Sequence, residues 1–186
     1  MNKKSFSEIT GIHQDDFIKI SLSPDNKLVP DLYNNLPGKS IWVPANKAQI
    51  KDILNGNELK AQFGGQMLHT KDLIFLIEKL LRKKILNSIS LTKKAGYLAI
   101  GLDTIKTQLI GKKHCLIIVA RGAKSLKNYS FFSSSDISCF ESVVYQEDLE
   151  RSTGKNNVKY VGIFSKNFKK TIQVDLNKLK GFMETD

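Results

Sequence analysis

The sequence has little of what several protein classes need. Only two of its 186 residues are cysteine, Cys115 and Cys139, so nothing points to a secreted fold stapled by disulfides. The three histidines, His13, His69 and His114, are scattered, and none stands at metal-ligand spacing from a Cys, Asp or Glu. G-x-S-x-G, H-E-x-x-H, a P-loop and a G-x-G-x-x-G following a strand are all missing. Catalysis, a cofactor and a resident metal are therefore not expected. No apolar run approaches the ~20 residues of a membrane span. Met1-Asn-Lys-Lys-Ser-Phe6 has no apolar core behind its lysines, which does not read as a signal peptide. A reducing cytoplasm is the expected compartment. Tryptophan occurs once, at Trp42.

Positive charge is abundant. Lys and Arg number 29 against 18 Asp and Glu, a net +11. Such a balance speaks of polyanionic partners rather than of fold: RNA, DNA or an anionic surface. It is also compatible with nothing more than a solvated lysine surface. The charge is uneven, because residues 1–66 carry 8 Lys against 7 acids, and residues 67–186 carry 21 Lys or Arg against 11. The asymmetry predicts two modules, 1–66 and 67–186, with the electrostatic attraction in the second.

Phe17-Ile-Lys-Ile-Ser-Leu22 alternates as a half-buried strand with Ile18, Ile20 and Leu22 inward. Turn chemistry follows at Pro24–Lys27 and at Leu36-Pro-Gly38, with strands at Leu28-Val29 and Ile41–Val43. Pro44 is expected to open a helix at its first position, and Asn55-Gly56 to end it. Gly64-Gly65 suggests the boundary. Asp72 to Ala95 has helical apolar spacing, with Gly96 as its cap. Beyond it the expected elements are a strand at Tyr97–Ile100 and a helix N-capped by Asp103 and ended by Gly111. They continue with a strand at His114–Ala120 buried on both faces, a strand at Ile137–Tyr145, a helix at Glu147–Ser152 and a strand at Val158–Phe164. Phe168 to Leu179 reads as a mixed, lysine-bearing tail. Cys115, and Phe131-Phe132, are expected in the core. The sum is an α+β N-terminal domain, a small antiparallel sheet with helices, followed by an α/β/α three-layer sandwich.

The positive functional signal is basic residues near turns and helix starts. Gly101 and Arg121 each follow a strand, so their loops are expected to converge, with helix amides and cations binding phosphates together. Lys93, Lys94, Lys106, Lys113 and Lys124 join them as phosphate-positioning candidates, and Gly101 permits close approach of backbone to RNA. Lys39 and Trp42 are secondary candidates. Trp42 suits base stacking and equally a core anchor.

Two family patterns fit these segments. Leu22-Ser-Pro-Asp-Asn-Lys-Leu-Val-Pro-Asp-Leu32 and Asn35-Leu-Pro-Gly-Lys-Ser-Ile-Trp-Val43 resemble the YlxR domain, a small bacterial family, over about residues 7–63. Lys39-Ser-Ile-Trp42 stands where that family reads Arg-Gly-Ala-Tyr. Ser90-Leu-Thr-Lys-Lys-Ala-Gly-Tyr97, Gly101-Leu-Asp103, Leu116-Ile-Ile-Val-Ala120 and Asp148-Leu-Glu-Arg-Ser-Thr-Gly-Lys155 resemble the YlxQ-like branch of the kink-turn-binding ribosomal protein superfamily. The second resemblance implies a sandwich that grips bent RNA with the Gly101 loop and the loop after Ala120. Asp103 departs from the family's Asn or Glu there, and Arg121 replaces an acidic residue. Together the resemblances imply a bacterial RNA-binding protein without catalytic activity. It would act on structured RNA, ribosomal or that of ribonuclease P, in translation, ribosome assembly or RNA processing. The alternatives are a protein-interaction module docking on a ribonucleoprotein such as ribonuclease P, and a DNA-binding nucleoid or transcription regulator.

Overall fold

The structure is a computed structural model describing residues 14–56, 70–111, 114–126, 129 and 136–183. His13, His69, Gly64-Gly65, Lys113 and Phe131-Phe132 lie outside the described residues. By internal packing the chain divides into two compact units, Met1–Leu81 with Asn177–Asp186, and Arg82–Leu176.

In unit 1 the strands β1 (Phe17–Leu22), β2 (Leu28–Pro30) and β3 (Ser40–Pro44) form an antiparallel sheet in the order β2-β1-β3. Ile18 pairs with Val43 and Ile20 with Ile41 on one face, while Lys19 pairs with Trp42 on the other. Ile18, Ile20 and Val43 are buried on the expected face, but Leu22 is only half-buried, and Phe17 and Ser21 on the other face are buried as well, so β1 is covered on both sides. Pro44 closes β3 instead of opening a helix. A residue without an N–H is tolerated at the end of an edge strand, and the cap is Asn46. Its side-chain oxygen accepts from the Ala48 and Gln49 amides at 3.0 and 3.1 Å, starting α1 (Lys47–Asn55).

The Val-Pro-Asp-Leu and Leu-Pro-Gly elements have a structural explanation. The Asp31 carboxylate is buried and accepts from Lys19 Nζ at 2.8 Å and from the Asn35 and Leu36 amides at 3.1 Å each. Burial by itself would raise its pKa. The Lys19 hydrogen bond, the two amides and the Lys19 charge outweigh burial and hold it below the ordinary value. Asp31 thus clamps the turn that delivers Gly38, whose φ of +97° favours glycine.

Helix α2 (Thr70–Lys94) buries Leu73, Ile77 and Leu81 in unit 1 and Ile85 and Ile89 in unit 2, one residue every turn. It ends in a Schellman arrangement: the Gly96 amide donates to Lys93 and the Tyr97 amide to Thr92, both at 3.0 Å.

Unit 2 contains β4 (Leu98–Ile100), α3 (Leu102–Leu109), β5 (Cys115–Ala120), β6 (Ile137–Val144), α4 (Gln146–Thr153), β7 (Tyr160–Ile163) and most of α5 (Lys166–Met183). The sheet runs β4-β7-β5-β6. β7 is antiparallel to β4 and β5, and β5 is parallel to β6. All six residues of β5 are buried, matching the expected run. Ile105 of α3, Cys115, Ile117, Val119, Leu126 and Phe164 share a core cluster with Ala99. Gly162 makes the fit of α3 possible: a Cβ there would stand 2.9 Å from the Ile105 side chain.

Two further local readings change. Gly101, not Asp103, is the N-cap of α3, because its φ of +92° lets the helix start directly after β4. Asp103 lies in the first turn, where a negative charge still suits the helix dipole. Phe168 to Leu179 is no mixed tail but part of α5, whose buried Ile172, Leu176, Leu179 and Phe182 keep helical spacing. Cys139 is exposed on β6.

Candidate nucleic-acid interface

Because β4, β5 and β6 run one way and β7 the other, the ends of three strands meet the start of the fourth. The Gly101 amide donates to the Tyr160 carbonyl at 2.9 Å, the Ala120 amide to Lys159 at 2.9 Å, and the Arg121 amide to Val144 at 2.8 Å. Those bonds place Gly101, Lys159-Tyr160, Arg121 and Tyr145 along one end of the sheet. The Gly101 and Arg121 loops stand at the same end of the sheet, with the start of β7 between β4 and β5.

Arg121 is exposed, with Nη1 donating to the Tyr145 hydroxyl at 3.0 Å and Cζ 5.5 Å from that ring's centroid. Arg82 comes to 4.9 Å from the same centroid and donates to the Val143 carbonyl at 3.2 Å. One tyrosine ring therefore holds two guanidinium groups, an arrangement its quadrupole favours. Tyr145 itself is 40% exposed.

The loop after β5 is held by one of its own side chains and by two from neighbouring strands. Leu126 is buried in the core cluster, the Tyr160 hydroxyl donates to the Lys124 carbonyl at 3.0 Å, and Glu141 accepts from the Leu126 amide at 2.7 Å. Gly122 adopts φ +81° at the turn. The result projects Arg121 and Lys124 into solvent. Among the described residues, Arg121, Lys124 and Lys159 pair with no carboxylate.

On α3, Lys106 lies 3.8 Å from Asp103 and 5.4 Å from the Tyr129 ring centroid, so part of its charge is already answered. The first turn of α3 has no side-chain cap on Gly101, leaving its amides oriented as an anion-binding helix start.

Not all candidates join this cluster. Lys93 and Lys94 stand in the last turn of α2, before β4, whereas Gly101 follows its other end. Lys93 Nζ donates to the carbonyl of Thr153 at the end of α4, which makes it a C-terminal helix partner. Lys39 and Trp42 belong to unit 1. Lys39 is exposed, and Trp42 is half-buried opposite Lys19. The residues that sequence reasoning missed are Tyr145, Lys159 and Tyr160. Tyr145 and Arg121 carry the same legible signal, a position immediately after a strand. Lys159 and Tyr160 carry none, because only the antiparallel course of β7 brings its start to this end.

Unit 2 holds 17 Lys or Arg against 7 Asp or Glu, a net +10. Among the described residues no group of three or more His, Cys, Asp or Glu is placed to hold a metal ion, and no helix is long and apolar enough to cross a membrane. No protein-family model matches the sequence, and neither a curated protein nor a solved structure matches the chain.

Proposed function

We propose that the chain is a bacterial, cytoplasmic RNA-binding protein that grips structured RNA with the Gly101–Arg121 end of the second sheet, without catalysis. The observation that supports it most is the backbone bonding that sets Arg121 and Lys159 at the same end of the second sheet as the Gly101 helix start, where Arg121 also donates to the exposed Tyr145. Cations and backbone amides position phosphates. Exposed Arg121, a planar guanidinium held at Tyr145, suits contact with bases as well as phosphates, which favours RNA with unpaired bases over a plain duplex. The same unit, four strands with helices between them, suits the α/β/α sandwich and the kink-turn-binding superfamily that its segments resemble. The first unit suits the YlxR resemblance, with its turn motifs serving the sheet through Asp31. Lys39 and Trp42 remain its candidate secondary contacts.

Fluorescence anisotropy of the full chain with a bent structured RNA, an RNA duplex, a single strand and a DNA duplex, across a salt series, tests the reading. Preference for the bent RNA that persists as salt rises is the expected result. Equal binding to all four that collapses with salt would leave generic attraction only, and tightest binding to the DNA duplex would favour the regulator alternative. Charge reversal at Arg121 and Lys124 together should lower the salt slope by about 0.7–0.9 per lost phosphate contact. An unchanged slope would remove both residues from the interface.

A further inference from the structure

We infer that Glu141 is a positioning residue for RNA, a carboxylate whose role is to hold the Arg121–Leu126 loop in its binding shape; the inference rests on the RNA-binding reading. Glu141 lies on β6 with Val119 as its neighbour across the strand pair, and it is half-buried. Its Oε1 accepts from the Leu126 amide at 2.7 Å, and its two oxygens stand 3.0 and 2.8 Å from the donating Ser125 hydroxyl. Both donors belong to the loop that carries Arg121 and Lys124. An ionised acceptor makes these bonds stronger than neutral ones.

Electrostatics alone assigns this residue the opposite role. A carboxylate beside a phosphate-binding end repels the ligand, so its removal should tighten binding. Positioning reverses the sign. Other ties of the loop include the Arg121 amide to Val144, the Ala123 amide to Ala120, the Tyr129 amide to Leu126, the Tyr160 hydroxyl to Lys124 and the buried Leu126 side chain. Without Glu141 the Leu126 amide loses its acceptor and Ser125 its bonds to β6, so the segment bearing Lys124 has to be ordered on binding. Ordering costs affinity that a preset loop does not.

The experiment uses the full chain with Glu141→Ala and Glu141→Gln, both confirmed folded by circular dichroism at the assay temperature. Glu141→Ala should bind the bent RNA about tenfold more weakly, the scale of ordering one or two residues on binding. Glu141→Gln keeps an acceptor oxygen for Leu126 and should restore affinity to within about threefold of wild type, a rescue that loss of charge cannot give. Binding by Glu141→Ala equal to or tighter than wild type would overturn the inference. Amide hydrogen exchange across residues 121–126 of the free protein separates this failure from that of the RNA reading. Faster exchange in Glu141→Ala supports the loop-holding role, even if wild type binds no RNA and the RNA reading falls. Unchanged exchange overturns that role.

Discussion

Replacing Asp31 by asparagine should destabilise the first unit by about 2–3 kcal/mol at neutral pH. The carboxylate is buried and takes three donors, Lys19 Nζ at 2.8 Å and the Asn35 and Leu36 amides at 3.1 Å. Asparagine offers one acceptor oxygen and turns an NH2 group toward a remaining donor. Breaking a buried ion pair costs about 3–5 kcal/mol. The Lys19 side chain is 15% exposed and can turn its ammonium to water, which brings the figure to the lower side. The pH dependence has a definite sign. The folded pKa of Asp31 is depressed, so its contribution is complete above the unfolded value of about 4. It is lost as pH falls through the lower folded value. Urea unfolding followed by Trp42 fluorescence isolates the first unit, since Trp42 is the only tryptophan and lies opposite Lys19 on the sheet. Wild type should lose stability below about pH 4 more steeply than Asp31→Asn. A neutral-pH loss under about 1 kcal/mol, the worth of one ordinary hydrogen bond, would refute the clamp, as would identical acid slopes in the two proteins.

Two further predictions concern the second unit. Gly162→Val should cost about 2–3 kcal/mol by overpacking, because its Cβ alone would stand 2.9 Å from Ile105 and 3.1 Å from Phe164; thermal unfolding reads it. Lys84 Nζ donates to Asp175 Oδ1 at 3.0 Å, and Asp175 is nearly fully buried. Lys84→Met should cost about 3–5 kcal/mol by stranding that carboxylate, and adding Asp175→Leu should return most of it. A double-mutant cycle in urea checks the sign, and a double variant no more stable than Lys84→Met would contradict it.

Local pattern made much of the fold readable. The apolar run ending at Ala120 and the spacing along α2 record which side chains leave water, and the alternation of Phe17–Leu22 marks a strand, though both of its faces are partly buried. Pro44 and Asp103 misled because a proline and an acid suit more than one position near a helix start. Their neighbours Asn46 and Gly101 took the caps, one by a side-chain acceptor and the other by a left-handed backbone. The helical spacing of Ile172, Leu176, Leu179 and Phe182 was present in the tail but obscured by its lysines. Of the candidate site, Gly101 and Arg121 were legible because each follows a strand. Lys93 was not legible as a helix partner, since Thr153 lies 60 residues further along the chain.

The sequence by itself determined the periodicities, the separation of charge and the glycines at which the chain turns, because these depend on neighbours within a few residues. Tertiary structure alone decided that β7 enters between β4 and β5, bringing Lys159 and Tyr160 beside Gly101 and Arg121. It alone decided that Tyr145 gathers Arg82 and Arg121 around one ring. The order of strands in a sheet follows from which buried faces pack together. That is a property of residues far apart in the chain, and no local pattern encodes it.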